Sequence, residues 1–193
     1  MKLVFATHNT HKFREVQVLM PQHIQLVSLT DIQCLEEIEE SGKTLEENAQ
    51  LKADYVTKTY GFPCFADDTG LLVDALNGAP GVYTARYAGP QKNAQDNMEK
   101  LLKELESTLN RKAHFKTAIA LNDSGQQMLF TGIVHGEITK NQQGEGGFGY
   151  DPIFMPSGYD ATFAELSLTT KNRIGHRGQA ISKLLSYLSR EAT

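Results

Sequence analysis

No run of residues in this chain is long and apolar enough to cross a bilayer, which excludes a helical membrane protein. Met1 to Ala6 is too short for the apolar centre of a secretion signal. It reads as a first strand, and a cytoplasmic protein is expected. Cysteine is scarce: Cys34 and Cys64 are the only two in 193 residues, and they form no C-x-x-C pair. A disulfide framework is therefore not expected, and both thiols suit a reduced compartment as small hydrophobes. There is no basic block either, and the formal net charge is −4. That balance argues against a stable nucleic-acid partner while leaving room for a local basic pocket. His8, His11, His23, His114 and His135 show no zinc-like spacing.

What is present is an ordinary soluble composition, 40% hydrophobic and 22% charged, long enough to bury a core. The length favours a single domain over 1–193, with two lobes. Lys2 to Ala6 predicts a buried strand, 7–11 a polar loop, and Lys12 to Met20 a helix closed by Pro21. Thr44 and Glu47 form a T-x-x-E capping box that opens a helix with Leu45, Ala49, Ala53 and Val56 along its apolar stripe. Cys64 to Ala66 reads as a strand end, Gly70 as a point where the chain can turn sharply, and Leu71 to Leu76 as a resumed extended stretch. Residues 77–81 are a turn cluster, and Ala94 to Leu105 a second amphipathic helix. His114 to Leu121 and Met128 to His135 predict a strand pair around Asp123-Ser124-Gly125, and Gly178 to Leu188 the last helix. The order is mixed α/β.

The most informative chemistry is the adjacent pair Asp67 and Asp68, with Thr69 and Gly70 directly after. Side chains alternate along an extended chain, so the two carboxylates would point in opposite directions. One can face a cleft while the other supports the backbone or meets solvent. A carboxylate beside a hydroxyl suits Mg²⁺ binding or activation of a water, and an ordinary Asp-Thr-Gly turn is the plain alternative. Thr7, His8, Asn9, Thr10, His11 and Lys12 stand just ahead of a helix, where free NH groups and positive potential favour phosphate. Glu36, Glu37, Glu39 and Glu40 make an acidic loop, one member of which could face Asp68 and complete a two-carboxylate Mg²⁺ site.

Farther along, Phe148-Gly149-Tyr150-Asp151 sets two rings and a carboxylate beside accessible backbone. Such rings can stack on a nucleobase, or simply pack into the core beneath a surface loop. Lys171, His176 and Arg177 gather cations near a helix amino end, which is unfavourable unless an anion or acceptor lies close by. Two familiar patterns fail. Gly42-Lys43-Thr44 lacks the first glycine of a phosphate-binding P-loop, because that position is Glu37. Gly144 to Gly149 matches G-x-G-x-x-G, yet Pro152 stands where a helix should continue.

Seven segments in order resemble the inosine triphosphate pyrophosphatase family, the Ham1-like non-standard purine nucleoside triphosphatases. They are T-x-N-x-x-K at Thr7 to Lys12, E-E-S-G at Glu39 to Gly42, E-N-A-x-x-K-A at Glu47 to Ala53, and A-D-D-T-G at Ala66 to Gly70. G-A-P-G-V-Y-T-A-R-Y at Gly78 to Tyr87, G-G-F-G-Y-D-P at Gly146 to Pro152, and G-H-R-G at Gly175 to Gly178 complete the series. The resemblance implies a mixed central sheet with flanking helices, two lobes around an active-site cleft, and a homodimer. It also implies Mg²⁺-dependent hydrolysis of ITP, deoxy-ITP and XTP to the monophosphate and pyrophosphate.

Carried over by position, the resemblance makes Asp68 the general base and Glu39 with Asp68 the metal ligands. Thr7, His8, Asn9, Thr10, His11, Lys12 and Thr69 would hold phosphates. Phe148, Gly149, Tyr150, Asp151, Lys171, His176 and Arg177 would bind the nucleotide and its base, with Asn48, Lys52 and Arg86 as further contacts. His8 stands where the family often has a small residue, and Thr69 where serine is commoner. Two other functions remain compatible with the sequence: a pyrophosphatase for other nucleotides, and a nucleotide-binding regulator without turnover. An intact carboxylate pair argues against the regulator.

Overall fold

Residues 1–191 are described by a computed structural model; 192 and 193, the end of the expected 1–193 domain, lie outside the described residues. The elements run β1 (Lys2–Phe5), α1 (Thr10–Gln17), β2 (Gln25–Val27), α2 (Leu45–Tyr60), β3 (Cys64–Val73) and α3 (Ala94–Glu104). They continue with β4 (Lys112–Asp123), β5 (Gln126–Ile138), β6 (Phe154–Pro156), α4 (Leu168–Ile174) and α5 (His176–Glu191). The strands form one mixed sheet in the order β2-β1-β3-β4-β5-β6. β1 pairs in parallel with β2 and β3, whereas β5 and β6 are antiparallel. The β4–β5 connection is Ser124-Gly125 with positive φ at both residues (49° and 81°), the geometry that suits a two-residue hairpin.

The described chain divides into two compact units: unit 1 is Met1–Asp68, Thr117–Gly132 and Arg177 onward, and unit 2 is Thr69–Lys116 and Ile133–His176. In unit 1, strand alternation sorts the core into two layers. Leu3, Phe5, Phe65, Ile119 and Leu121 pack with Val16 of α1 and with Ala180, Ile181 and Leu184 of α5. The intervening Val4, Ala6, Cys64, Ala66 and Ala120 pack with Ala49, Ala53 and Val56 of α2. Small residues on both sides of this second layer bring α2 close to the strands. The expected capping box is present: Thr44 Oγ1 accepts from Glu47 N at 3.1 Å, and Glu47 Oε2 accepts from Thr44 N. A cap of this kind contributes about 1 kcal/mol.

Unit 2 has its own core, in which Leu71 and Val73 of β3 meet Met98, Leu101 and Leu105, with Phe115, Phe154 and Phe163 beside them. The structure corrects three expectations. There is no turn at Gly70: β3 runs unbroken for 10 residues within the sheet, beside β1 at Cys64 and Phe65 and with β4 on its other side, and this sheet placement overrides the local turn composition. The reversal comes later, at Asn77 (φ 52°) and Gly78 (φ 85°). α1 starts at Thr10 rather than Lys12, since Asn9 caps it by accepting from the amides of His11 and Lys12, and it ends at Gln17. α4 has no counterpart among the helices expected from the sequence. After Gly149, the chain makes a short 3₁₀ turn at Asp151–Ile153 and enters β6, so the glycine-rich match opens no helix.

Candidate active site

The layering of unit 1 decides where the two adjacent aspartates go. Asp67 continues the Phe65 face of β3 and meets α1 and α5. Lys12 Nζ donates to its Oδ1 at 3.0 Å and Arg177 Nε to its Oδ2 at 3.1 Å, while Arg177 also pairs with Glu15 at 2.5 Å. Asp68 continues the Ala66 face and meets α2, where Asn48 Nδ2 donates to its Oδ2 at 3.0 Å. Opposite orientation, read from the sequence, is therefore realised as partnership with different helices.

Their environments separate their acidities. Burial alone would raise Asp67, but Lys12, Arg177 and Lys52 outweigh it and hold that carboxyl well below the usual carboxylate range. For Asp68, burial wins: its carboxyl is raised, with Lys52 and Lys12 opposing and Glu40 adding to the shift. Burial pulls Lys52 down, yet Asp68, Glu40 and Asp67 together carry it above its ordinary value. Lys12 ends lower than usual because desolvation exceeds the pull of Asp67. In this cluster three cations face four carboxylates, and the buried carboxylate that stays basic is Asp68.

The acidic loop supplies Glu40. Lys52 of α2 pairs with Glu40, which is half-buried, whereas Glu39 is exposed. Alternate residues of the segment meet α2, although Glu36 itself remains exposed and lies at a bend. Cys34 is fully buried, Glu36 accepts from two tyrosines of α2, Ile38 packs on the α2 layer, Glu40 takes Lys52, and Gly42 N donates to Asn48 Oδ1 at 2.8 Å. The residues between them, Leu35, Glu37, Glu39 and Ser41, are exposed. Gly42 has no room for a side chain, since a Cβ would stand 2.7 Å from Asn48 Oδ1.

In unit 2, Asp151 and Lys171 are both buried and pair at 2.5 Å. Asp151 Oδ2 also accepts from Phe148 N at 2.8 Å, and Lys171 Nζ lies 4.7 Å from the centre of the Phe148 ring and 5.6 Å from that of Phe163. Gly147 permits this fold-back: at φ 71°, a Cβ there would stand 2.1 Å from Asp151 Oδ2. A model of the Ham1 family matches residues 3–187. The chain belongs to the Ham1 family. It is 60% identical to the dITP/XTP pyrophosphatase of Christiangramia forsetii over 190 residues, covering 98% of this chain and 100% of that one. The corresponding protein of Flavobacterium johnsoniae is also 60% identical, over 189 residues and 98% of each chain. Among solved structures, the Staphylococcus aureus Ham1 protein superposes with a TM-score of 0.90 at 40% identity, covering 99% of this chain and 100% of that one. A HAM1 protein from Coxiella burnetii gives 0.90 at 38% identity, with 98% and 99% covered.

In this Ham1 chain the sequence-marked residues fall into distinct local settings. Thr7, Asn9, Thr10, His11 and Lys12 lie at the start of α1, with Thr7 Oγ1 accepting from Asn9 N at 3.1 Å. His8 reaches the acidic loop, its Nε2 2.9 Å from the Glu36 carbonyl. Thr69 is half-buried on β3 directly after Asp68. Phe148 and Gly149 are half-buried, but Tyr150 turns into the core and donates to the Thr84 carbonyl at 2.9 Å. His176 stacks on Phe115 at 4.7 Å, and Arg86 lies over the Tyr83 ring at 5.2 Å. Arg177 sits with Glu15 and Asp67 in unit 1, whereas Lys171, His176 and the glycine-rich residues belong to unit 2. Glu15, an acidic residue on a helix, carried no signal in the sequence. Glu40 was one of four glutamates there, and the alternation along 34–42 is what could have singled it out.

The donor set suits magnesium. Mg²⁺ keeps several waters and leans on one or two carboxylates plus substrate phosphates. Asp68 could supply one carboxylate and the acidic segment the other, where Glu39 is exposed and Glu40 is held by Lys52; no cluster of three or more His, Cys, Asp or Glu side chains fit to hold a metal occurs among the described residues.

Proposed function

We propose that this Ham1 chain is a Mg²⁺-dependent nucleoside triphosphate pyrophosphatase that converts deaminated purine triphosphates, ITP, dITP and XTP, to the monophosphate and pyrophosphate. The observation that carries the reading is Asp68: a buried carboxylate kept basic, held by Asn48, and close to both Glu40 and Lys52. The names of the relatives at 60% identity point to the same substrate class.

Asp68 accepts the proton of a water whose oxygen attacks the α-phosphorus, and the bond to the bridging oxygen of pyrophosphate breaks. Its raised proton affinity makes it a better base than its neighbour Asp67, which is committed to Lys12 and Arg177. Asn48 fixes the carboxylate for that transfer. Lys12 and Lys52 balance charge on the phosphates, and the amino end of α1 adds NH donors there. Asp68 and Glu39 would hold the magnesium ion, which when bound neutralises phosphate charge and favours departure of pyrophosphate. No covalent intermediate is required, so the two buried cysteines have no catalytic task.

Phe148, Asp151 and Lys171 take up the base, the ring offering a face and the ammonium a donor. A donor meets the 6-oxo group of hypoxanthine or xanthine, whereas the 6-amino group of adenine would confront it donor to donor. Free, buried thiols are consistent with a cytoplasmic setting, and among the described residues no helix is long and apolar enough to cross a membrane. A homodimer is part of the proposal on family resemblance. Product analysis with ITP, XTP, GTP and ATP at slightly alkaline pH with Mg²⁺ tests it. Monophosphate and pyrophosphate from ITP and XTP, with ATP and GTP nearly untouched, are expected. Diphosphate with orthophosphate would contradict attack at the α-phosphorus, and no turnover by folded protein would favour the regulator.

A further inference from the structure

Midway along α2, three side-chain amides converge on a carboxylate oxygen that the proposed chemistry does not use. Asp54 Oδ1 accepts from Gln50 Nε2 at 2.7 Å, from Asn122 Nδ2 at 2.8 Å and from Gln127 Nε2 at 2.8 Å. Gln50 Nε2 also donates to Asn122 Oδ1 at 2.9 Å, which closes a triangle, and Lys58 Nζ reaches Asp54 Oδ2 at 3.2 Å. Asn122 is buried near the end of β4, and Gln127 stands near the start of β5. Counted outward from the two-residue turn at Ser124-Gly125, they are directly opposite one another, so both amides reach the same oxygen. Burial alone would raise Asp54, but the bonds from Asn122, Gln50 and Lys58 outweigh it and hold the carboxyl below its ordinary value.

The place of this node on the helix gives it a consequence. With about 3.6 residues per turn, Asn48 and Lys52 lie on one side of the apolar stripe of α2, and Gln50 and Asp54 on the other. The stripe itself is Ala49, Ala53 and Val56, packed against Val4, Ala6, Cys64, Ala66 and Ala120. Contact between such small apolar groups is non-directional and resists roll of the helix about its own axis only weakly. Hydrogen bonds are directional. On one flank Asn48 donates to Asp68 and accepts from Gly42 N. On the other, the Asp54 node joins α2 to both strands of the β4–β5 hairpin. Side chains about 5–6 Å from a helix axis move by about 1 Å for a roll of about 10°. A misplacement of about 1 Å in a catalytic arrangement can cost about 100-fold in rate.

We infer that Asp54, with Asn122 and Gln127, sets the roll of α2 on the sheet and through it the orientation of Asn48 toward Asp68. Asp54 is a positioning residue about 9 Å along the helix from Asn48, and its role rests on Asp68 acting as the base. The test is a double-mutant cycle between D54A and N48A, read as ITP turnover. D54A alone should lower kcat roughly 10-fold with KM for ITP little changed, because Asn48 orients the base rather than the substrate. In an N48A background, D54A should cost less than about 2-fold more. D54N keeps an oxygen for the three amides and gives up the pairing with exposed Lys58, so it should stay close to the parent. The side-chain amide resonance of Asn48 should shift in D54A and hold its place in D54N.

Additive losses in the cycle would overturn the inference, because Asp54 would then support the fold at large and not Asn48. A D54N as slow as D54A would also overturn it, since charge rather than position would be the cause. If D54A fails to fold, Q127A removes one donor at the exposed edge of the node and carries the same cycle with a smaller expected loss. A parent that hydrolyses no ITP removes the assigned reaction. The Asn48 resonance then decides the inference by itself, and a resonance unmoved in D54A overturns it.

Discussion

Asp67 in unit 1 and Asp151 in unit 2 are both buried carboxylates with an ammonium partner, but their surroundings differ. Around Asp67 the charges are shared: Arg177 serves both Asp67 and Glu15, and Lys52 is raised by Asp68, Glu40 and Asp67 together. Around Asp151 the setting is aromatic. Its partner Lys171 lies over the Phe148 ring and near that of Phe163, and the carboxylate is otherwise tied down by the Phe148 amide. A shared network can absorb an incoming polyanion by redistributing its pairings. An ion pair beneath aromatic rings offers a flat surface and a fixed donor.

Exchanging neighbours breaks the comparison most sharply. D68N should reduce ITP turnover at least about 1000-fold while ITP binding persists, as expected for loss of a general base. The fold should be no less stable, because burial penalises the charge on Asp68. Steady-state rates with calorimetry check both halves, and unchanged hydrolysis would remove Asp68 from the mechanism. D67N, one residue away, should instead lower stability by about 3–5 kcal/mol, because Lys12 and Arg177 lose their shared carboxylate in a buried setting. The Asp67 carboxyl is depressed on folding, so its stabilisation is present above the ordinary aspartate range near 3.8 and is lost as pH falls below it. Denaturation across that range should show a shallower acid slope in D67N than in the parent.

The smallest effect is expected in unit 2. D151N should raise KM for ITP about 10-fold, equivalent to roughly 1.4 kcal/mol, with kcat less affected and the preference for ITP over ATP narrowed. An unaltered KM and selectivity would remove the Asp151–Lys171 pair from base recognition. A shift in the Mg²⁺ requirement would instead mean that the two units are less separate in function than their charge arrangements suggest.

Much of this was legible because local and tertiary demands agree. The box at Thr44 and Glu47, the apolar stripe of α2 and the last helix all carry their sequence patterns into the structure. The opposite facing of Asp67 and Asp68 needed nothing beyond strand geometry. The failures occur where tertiary packing overrules composition. Asp-Asp-Thr-Gly has the letters of a turn, yet sheet pairing keeps β3 extended through it. α4 is a short helix whose sequence, Leu168 to Ile174, has no apolar stripe, although Ser167 does cap it. Glu15 could not be told from any exposed helix residue until Arg177 was placed beside it. Which of Glu39 and Glu40 pairs with Lys52 could not be read from a segment without regular secondary structure, because it depends on contacts with α2.

The stepping of residues 34–42 also means that this stretch is constrained in count more than in spelling. Leu35, at 74% exposure, and the outward Ser41 can change identity at little structural cost. Adding or removing one residue between Cys34 and Gly42 would turn inward groups outward and present the wrong glutamate to Lys52. Some of its outward positions are open to drift, and its length is not.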